Sequence, residues 1–147
     1  MITIKVYTDA TAKGNPGPSG LGIVIKSASD EVILTHKEYI GKATNNQGEY
    51  TALLKSLILL KDLTIEFDFV EFYSDSLLMV SQLTGKYKIK DKYLMRNAMN
   101  FWEGINKLGK KHSITYIPRA QNAIADKLAN EATNEGMLLE KKIISSI

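Results

Sequence analysis

The 147-residue chain contains no cysteine, which excludes disulfide staples, thiolate zinc sites and cysteine nucleophiles together. Its two histidines, His36 and His112, lie far apart, so no imidazole-rich metal site is expected either. Any metal should therefore sit on oxygen. No stretch approaches the ~18 uninterrupted apolar residues that a bilayer span requires, and no charged, apolar, small-residue leader precedes the first alternating segment. A soluble, cytoplasmic protein with no membrane partner is the expectation. Hydrophobic residues at 44% and charged residues at 24% match the globular average, which excludes a wholly disordered, collagenous or coiled-coil chain. The length suits one core that buries roughly two thirds of the unfolded chain's surface.

Charge is unevenly placed. The formal total is +3, from 19 basic and 16 acidic residues. Residues 86–111 alone hold Lys86, Lys88, Lys90, Lys92, Arg96, Lys107, Lys110 and Lys111 against Asp91 and Glu103. The rest of the chain is acidic on balance. Such a segment suits either one side of the molecule meeting a polyanion or a solvated helix face.

Ile2, Ile4 and Val6 alternate with polar neighbours as a strand ending at Thr8-Asp9. Residues 13–20, KGNPGPSG, are expected to break regular structure. Strands follow at Leu21–Lys26 and Val32–Ile40, completing an antiparallel meander. Thr44 with Gln47 three residues on is a capping-box pattern, opening a helix to about Leu60. A fourth strand reads from Phe67 to Ser74, with a short helix through Leu83 after Asp75. A helix over about Asp91–Leu108 places Leu94, Ala98, Phe101, Trp102 and Ile105 at core spacing. A fifth strand runs from Ser113 to Pro118, and a last helix begins near Asn122. This order predicts an α/β fold with a five-stranded mixed sheet flanked by helices. Residues 1–135 form the predicted domain. Residues 136–147, rich in Leu and Ile, are too apolar for a free tail and are expected to dock on the body or on a partner.

Asp9 and Asp75 each stand at a predicted carboxyl end of a strand, the edge where α/β sheets place ligands. Glu49 and Asp126 lie in the first turns of helices, where the dipole alone would favour an acid. Singly, each has that ordinary explanation. Together, three or four carboxylates at one sheet edge repel one another unless divalent cations lie between them. Oxygen ligands without imidazole or thiolate select magnesium or manganese.

The segments TDATAKGNPGPSGLGIVI, TNNQGEYTALLKSL, FYSDS and YIPRAQNAIADKLANEA resemble, in order and spacing, the signature blocks of type 1 ribonuclease H, over residues 1 to about 135. The resemblance implies the ribonuclease H-like fold and hydrolysis of the RNA strand of RNA–DNA hybrids. It implies an Asp9, Glu49, Asp75, Asp126 tetrad holding two Mg²⁺ ions, with Mn²⁺ as a substitute. Asp9 would bridge the ions, Glu49 and Asp75 would complete the one near the leaving oxygen, and Asp126 the one carrying the attacking water. Products would bear 5′ phosphate and 3′ hydroxyl. Asn15 would contact a ribose hydroxyl or phosphate of the RNA, and Thr44, Asn45 and Asn46 would line the minor groove and a DNA-phosphate pocket. Lys86, Tyr87 and Lys88 would grip the DNA, with Tyr93 or Trp102 as stacking surface, although the spacing of Trp102 reads as core. Recognition through 2′ hydroxyls is sequence-tolerant.

The pattern departs from the family in three places. The basic handle that many bacterial members carry after the fourth strand is shorter here, which implies weaker and more salt-sensitive substrate binding. A loop histidine of those members has no counterpart in residues 117–125; Arg119 stands there, unable to shuttle protons but able to steady phosphate charge. Leu77 replaces a glutamine found in some members. Two other readings compete. A non-catalytic hybrid or double-stranded RNA binding module has no use for four clustered carboxylates. An actin-like or sugar-kinase-like ATPase needs a longer, two-lobed chain. The expected species is a monomer with no obligate protein partner, acting on an RNA–DNA hybrid.

Overall fold

The computed structural model describes residues 1–147. Three strands form the meander: β1 (Thr3–Ala12), β2 (Gly17–Ser27) and β3 (Val32–Ala43). Helix α1 (Asn45–Lys61) leads to β4 (Phe69–Ser74), α2 (Leu77–Leu83), α3 (Lys92–Leu108), β5 (Lys111–Tyr116), a 3₁₀ turn at Arg119–Asn122, and α4 (Ala123–Ser145). The sheet order is β3-β2-β1-β4-β5. β2 pairs antiparallel with β1 and β3, whereas β4 pairs parallel with β1 and β5. The α/β class and five-stranded mixed sheet agree with the sequence prediction.

Local chemistry accounts for the helix starts. Thr44 Oγ1 accepts the Gln47 N–H at 3.1 Å and Gln47 Oε1 accepts the Thr44 N–H at 2.9 Å, a reciprocal cap that fixes where α1 begins. Asp91 caps α3 through the Leu94 N–H at 2.9 Å. Apolar side chains of β1, β2 and β4 face α1, α2 and α3 in one core containing Ile4, Val6, Ile25, Tyr50, Leu53, Phe72, Met79 and Phe101. The opposite face of β1–β3 is covered by α4.

Gly20 and Gly22 set how closely α4 lies on the sheet. A Cβ on Gly22 would stand 2.0 Å from the Ala125 carbonyl oxygen, and one on Gly20 would stand 2.4 Å from that of Ala129. Two strand positions thus receive two successive helical turns, backbone against backbone. Gly22 is also the cross-strand partner of Asp9. The depth of α4 is therefore set beside Asp9.

Several boundaries differ from expectation. β1 continues past Asp9 to Ala12, and β2 begins at Gly17 inside the KGNPGPSG segment, because the hairpin keeps its pairing almost to the turn. Trp102, expected in the core, is 41% exposed: it lies one position away from the buried Phe101 on α3, and Phe101 takes the inward place. Residues 136–147 do not form a separate tail docked on the body. No stop signal follows Gly136, which is buried against the Tyr39 ring, so α4 runs on to Ser145 with Leu138, Leu139, Ile143 and Ile144 exposed. No helix is long and apolar enough to cross a membrane.

Gly22→Ala should force α4 off its seat, at a cost of about 1–3 kcal/mol or more for overpacking. Chemical denaturation measures this; an unchanged unfolding midpoint would contradict the backbone seat.

Candidate active site

The carboxyl ends of β1 and β4 meet where their pairing stops. Thr8 and Ser74 are the last partners, after which β1 continues and β4 turns into α2 through Asp75 and Ser76. Past that point the Ala10 N–H is donated to Glu49 Oε1 at 2.8 Å. α1 reaches this position because Gly48 lets it approach the Ala10 methyl, which a Cβ would meet at 2.9 Å. One oxygen from each of Asp9, Glu49 and Asp75 lies within 4.8 Å of the others.

Asp9 and Glu49 are buried, and no lysine or arginine forms an ion pair with any of the three. Burial pushes the Asp9 carboxyl up to about 10, helped by the negative Glu49 and Asp75 and by a hydrogen bond to Asp126. Burial likewise raises Glu49, to about 8, with Asp75 adding repulsion and the Ala10 N–H opposing it. Glu49 Oε2 is buried with no hydrogen-bond partner. An unsatisfied acceptor in an uncompensated acidic corner fits a hard divalent cation, and the all-oxygen donor set suits magnesium or manganese. Asp9, Glu49 and Asp75 are the residues that can hold it.

Asp126, in the first turn of α4, neighbours Asp9 without joining the three. Its Oδ1 accepts from Asn130 Nδ2 at 3.3 Å and from the Arg119 guanidinium at 3.4 Å. Asp9 is thus influenced by all three other acids. Arg119, on the 3₁₀ turn, has a largely exposed side chain.

The expected substrate residues fall in two places. Asn15 Oδ1 accepts the Asn45 N–H at 2.9 Å, so the β1–β2 turn and the start of α1 form one patch with Thr44 and the exposed Asn46. Thr44 is committed to its cap, but its hydroxyl proton remains free to donate. Lys86 and Lys88 are exposed on the loop between α2 and α3, where Tyr87, Lys88, Met95 and Trp102 line an open groove. Leu77, at the start of α2, is exposed.

Three contributors escaped the sequence reading: the Ala10 N–H that orients Glu49, Gly22 under α4, and Asn122, whose amide reaches β1. A glycine inside a strand run and an asparagine four residues before Asp126 were the available signals.

Residues 7–132 match the family model described as Reverse transcriptase-like. Ribonuclease HI of Halobacterium salinarum is 39% identical over 132 residues, covering 90% of this chain and 65% of that protein. The bifunctional protein Rv2228c of Mycobacterium tuberculosis is 33% identical over 134 residues, covering 89% of this chain and 35% of that protein. The chain therefore spans less than two thirds of the length of these relatives. Among solved structures, LC11-RNase H1 in complex with an RNA/DNA hybrid superposes with a TM-score of 0.81 at 36% identity, covering 91% of this chain and 99% of that one. The four blocks, the strand order and the acidic corner thus coincide with one family, and the chain belongs to type 1 ribonuclease H.

Proposed function

We propose that this protein is a divalent-metal-dependent endonuclease that cuts the RNA strand of RNA–DNA hybrids, leaving 5′-phosphate and 3′-hydroxyl ends. The observation that carries the proposal is the buried corner of Asp9, Glu49 and Asp75, with Glu49 Oε2 unpartnered and no protein cation to offset the charge. The hybrid held by LC11-RNase H1 supports the choice of substrate.

Two Mg²⁺ ions, or Mn²⁺ in their place, would supply an acidified attacking water and positive charge for the departing 3′ oxygen. Asp9, which neighbours Glu49, Asp75 and Asp126, would help to hold both ions. Glu49, oriented by the Ala10 N–H, and Asp75 would hold the leaving-group side. Asp126 would hold the side of the nucleophile. Arg119 contacts Asp126, and its long, exposed side chain would steady a phosphate oxygen as charge develops. Asn15, Thr44, Asn45 and Asn46 would follow the hybrid's minor groove and a DNA phosphate, while Lys86 and Lys88 would grip the DNA strand. All four acids come from one chain, which supports a monomer as the working species; a cytoplasmic setting completes the proposal.

Asp75→Asn should lower cleavage of labelled RNA in a hybrid more than about 100-fold, since losing a ligand costs more than losing an outer partner. Hybrid retention on a filter should persist. If the unmodified protein also leaves the RNA intact while retaining hybrid, a pure binding module is the correct reading. Arg119→Ala should lower turnover about 10- to 100-fold, the scale of one hydrogen bond to a charged group, with Mg²⁺ affinity unchanged by calorimetry. Unchanged turnover would remove Arg119 from the chemistry.

A further inference from the structure

Asn122 occupies the position where an asparagine ordinarily caps its own helix, yet its side chain makes no capping bond to α4. Instead its Nδ2 donates to the Thr8 carbonyl of β1 at 2.8 Å. The residue is 1% exposed, and Asn122 Oδ1 and Thr8 Oγ1 are both buried without a partner. The segment thus forgoes a local cap and carries two unsatisfied buried oxygens around one crossing bond. Such departures from local preference mark positions held for geometry rather than stability.

The geometry at stake is specific. The Thr8 carbonyl belongs to the peptide that joins Thr8 to Asp9, and Asn122 precedes Asp126 by about one helical turn. Asp126 in turn is locked to its own helix, because Asn130, one turn further on, donates to both its Oδ1 and its main-chain carbonyl. The Asp126 carboxylate therefore moves with α4 as a unit. Gly22 limits how deep α4 can sit, but a backbone contact leaves sliding along the strand open. The Asn122 bond opposes that sliding. We propose that Asn122 is a positioning residue that sets the separation of Asp9 from Asp126, and with it the affinity of the ion those two acids share. The proposal rests on the two-ion reading of the site.

Asn122→Ser removes the bond that crosses from α4 to β1. Serine keeps a small polar side chain at this position but is too short to reach Thr8. The expected result is a folded variant with a modestly lowered unfolding midpoint, since the Thr8 carbonyl loses a donor, and with the Mg²⁺ concentration for half-maximal hybrid cleavage raised about 10- to 100-fold. The KM for hybrid at saturating Mg²⁺ should change less than about twofold. Calorimetry with Mn²⁺ on the metal-free protein should show the weaker of two binding events lost or weakened by the same factor. If Asn122→Ser does not fold, Asn122→Gln keeps the donor but displaces it by one methylene, and should raise the Mg²⁺ requirement too. A folded variant with the unmodified Mg²⁺ requirement and both binding events intact overturns the proposal. If the unmodified protein cuts hybrid without divalent ions, the two-ion reading itself fails.

Discussion

Carboxylates that share a desolvated corner repel one another, and no lysine or arginine of this protein pairs with the three that crowd it. The Ala10 N–H favours ionised Glu49 and Asp9, the Ser74 side chain favours ionised Glu49, and the Arg119 guanidinium and Asn130 amide serve Asp126. An arrangement of that kind costs stability, because burial and mutual repulsion oppose ionisation of both Asp9 and Glu49. The fold holds the acids together nonetheless, since each is carried by an element whose position is decided elsewhere.

Those decisions come from both faces of the sheet. On one side, the capping box at Thr44 starts α1 at the register that brings Glu49 to the end of β1. The apolar core beneath α1 and α3 then fixes that helix against β1 and β4. On the other side, Gly20 and Gly22 let α4 settle directly on β2, and Asn122 ties its first turn to the strand that carries Asp9. The sheet supplies the remaining alignment: parallel pairing of β1 with β4 ends at Thr8 and Ser74, so Asp9 and Asp75 each lie one residue beyond the last pair.

Much of this was legible in the chain. Alternating apolar residues located the strands, and Thr44 with Gln47 located the start of α1 because capping is a local interaction between neighbouring residues. Asp9 and Asp75 were recognisable as acids at strand ends, and the four motif blocks linked them to Glu49 and Asp126. What escaped depends on contacts distant in sequence. Gly22 reads as a weak strand residue until α4 is placed over it. Asn122 reads as a helix cap, and only the structure shows its amide crossing to Thr8. Trp102 shared its helical spacing with buried neighbours, yet a one-position difference between adjacent residues decided which ring turned inward. The end of α4 was less legible: apolar residues 136–147 suggested a tail docked on the body or on a partner, whereas α4 continues through them to Ser145 and leaves several exposed on this chain.

A corner built for divalent cations should reveal itself in how stability depends on pH. Unfolding free energy is followed by denaturant titration from pH 7 to pH 9, once in EDTA and once in excess Mg²⁺. Ordinary carboxylates have finished titrating in that range, and ordinary histidines are mostly deprotonated from its start. Raised native pKa values for Glu49 and Asp9 mean that the folded state binds more protons than the unfolded one, so stability in EDTA should fall as pH rises. Mg²⁺ replaces those protons, and its stabilising effect should be larger at pH 9 than at pH 7. Identical pH profiles with and without Mg²⁺ would mean that the acidic corner holds no such ion.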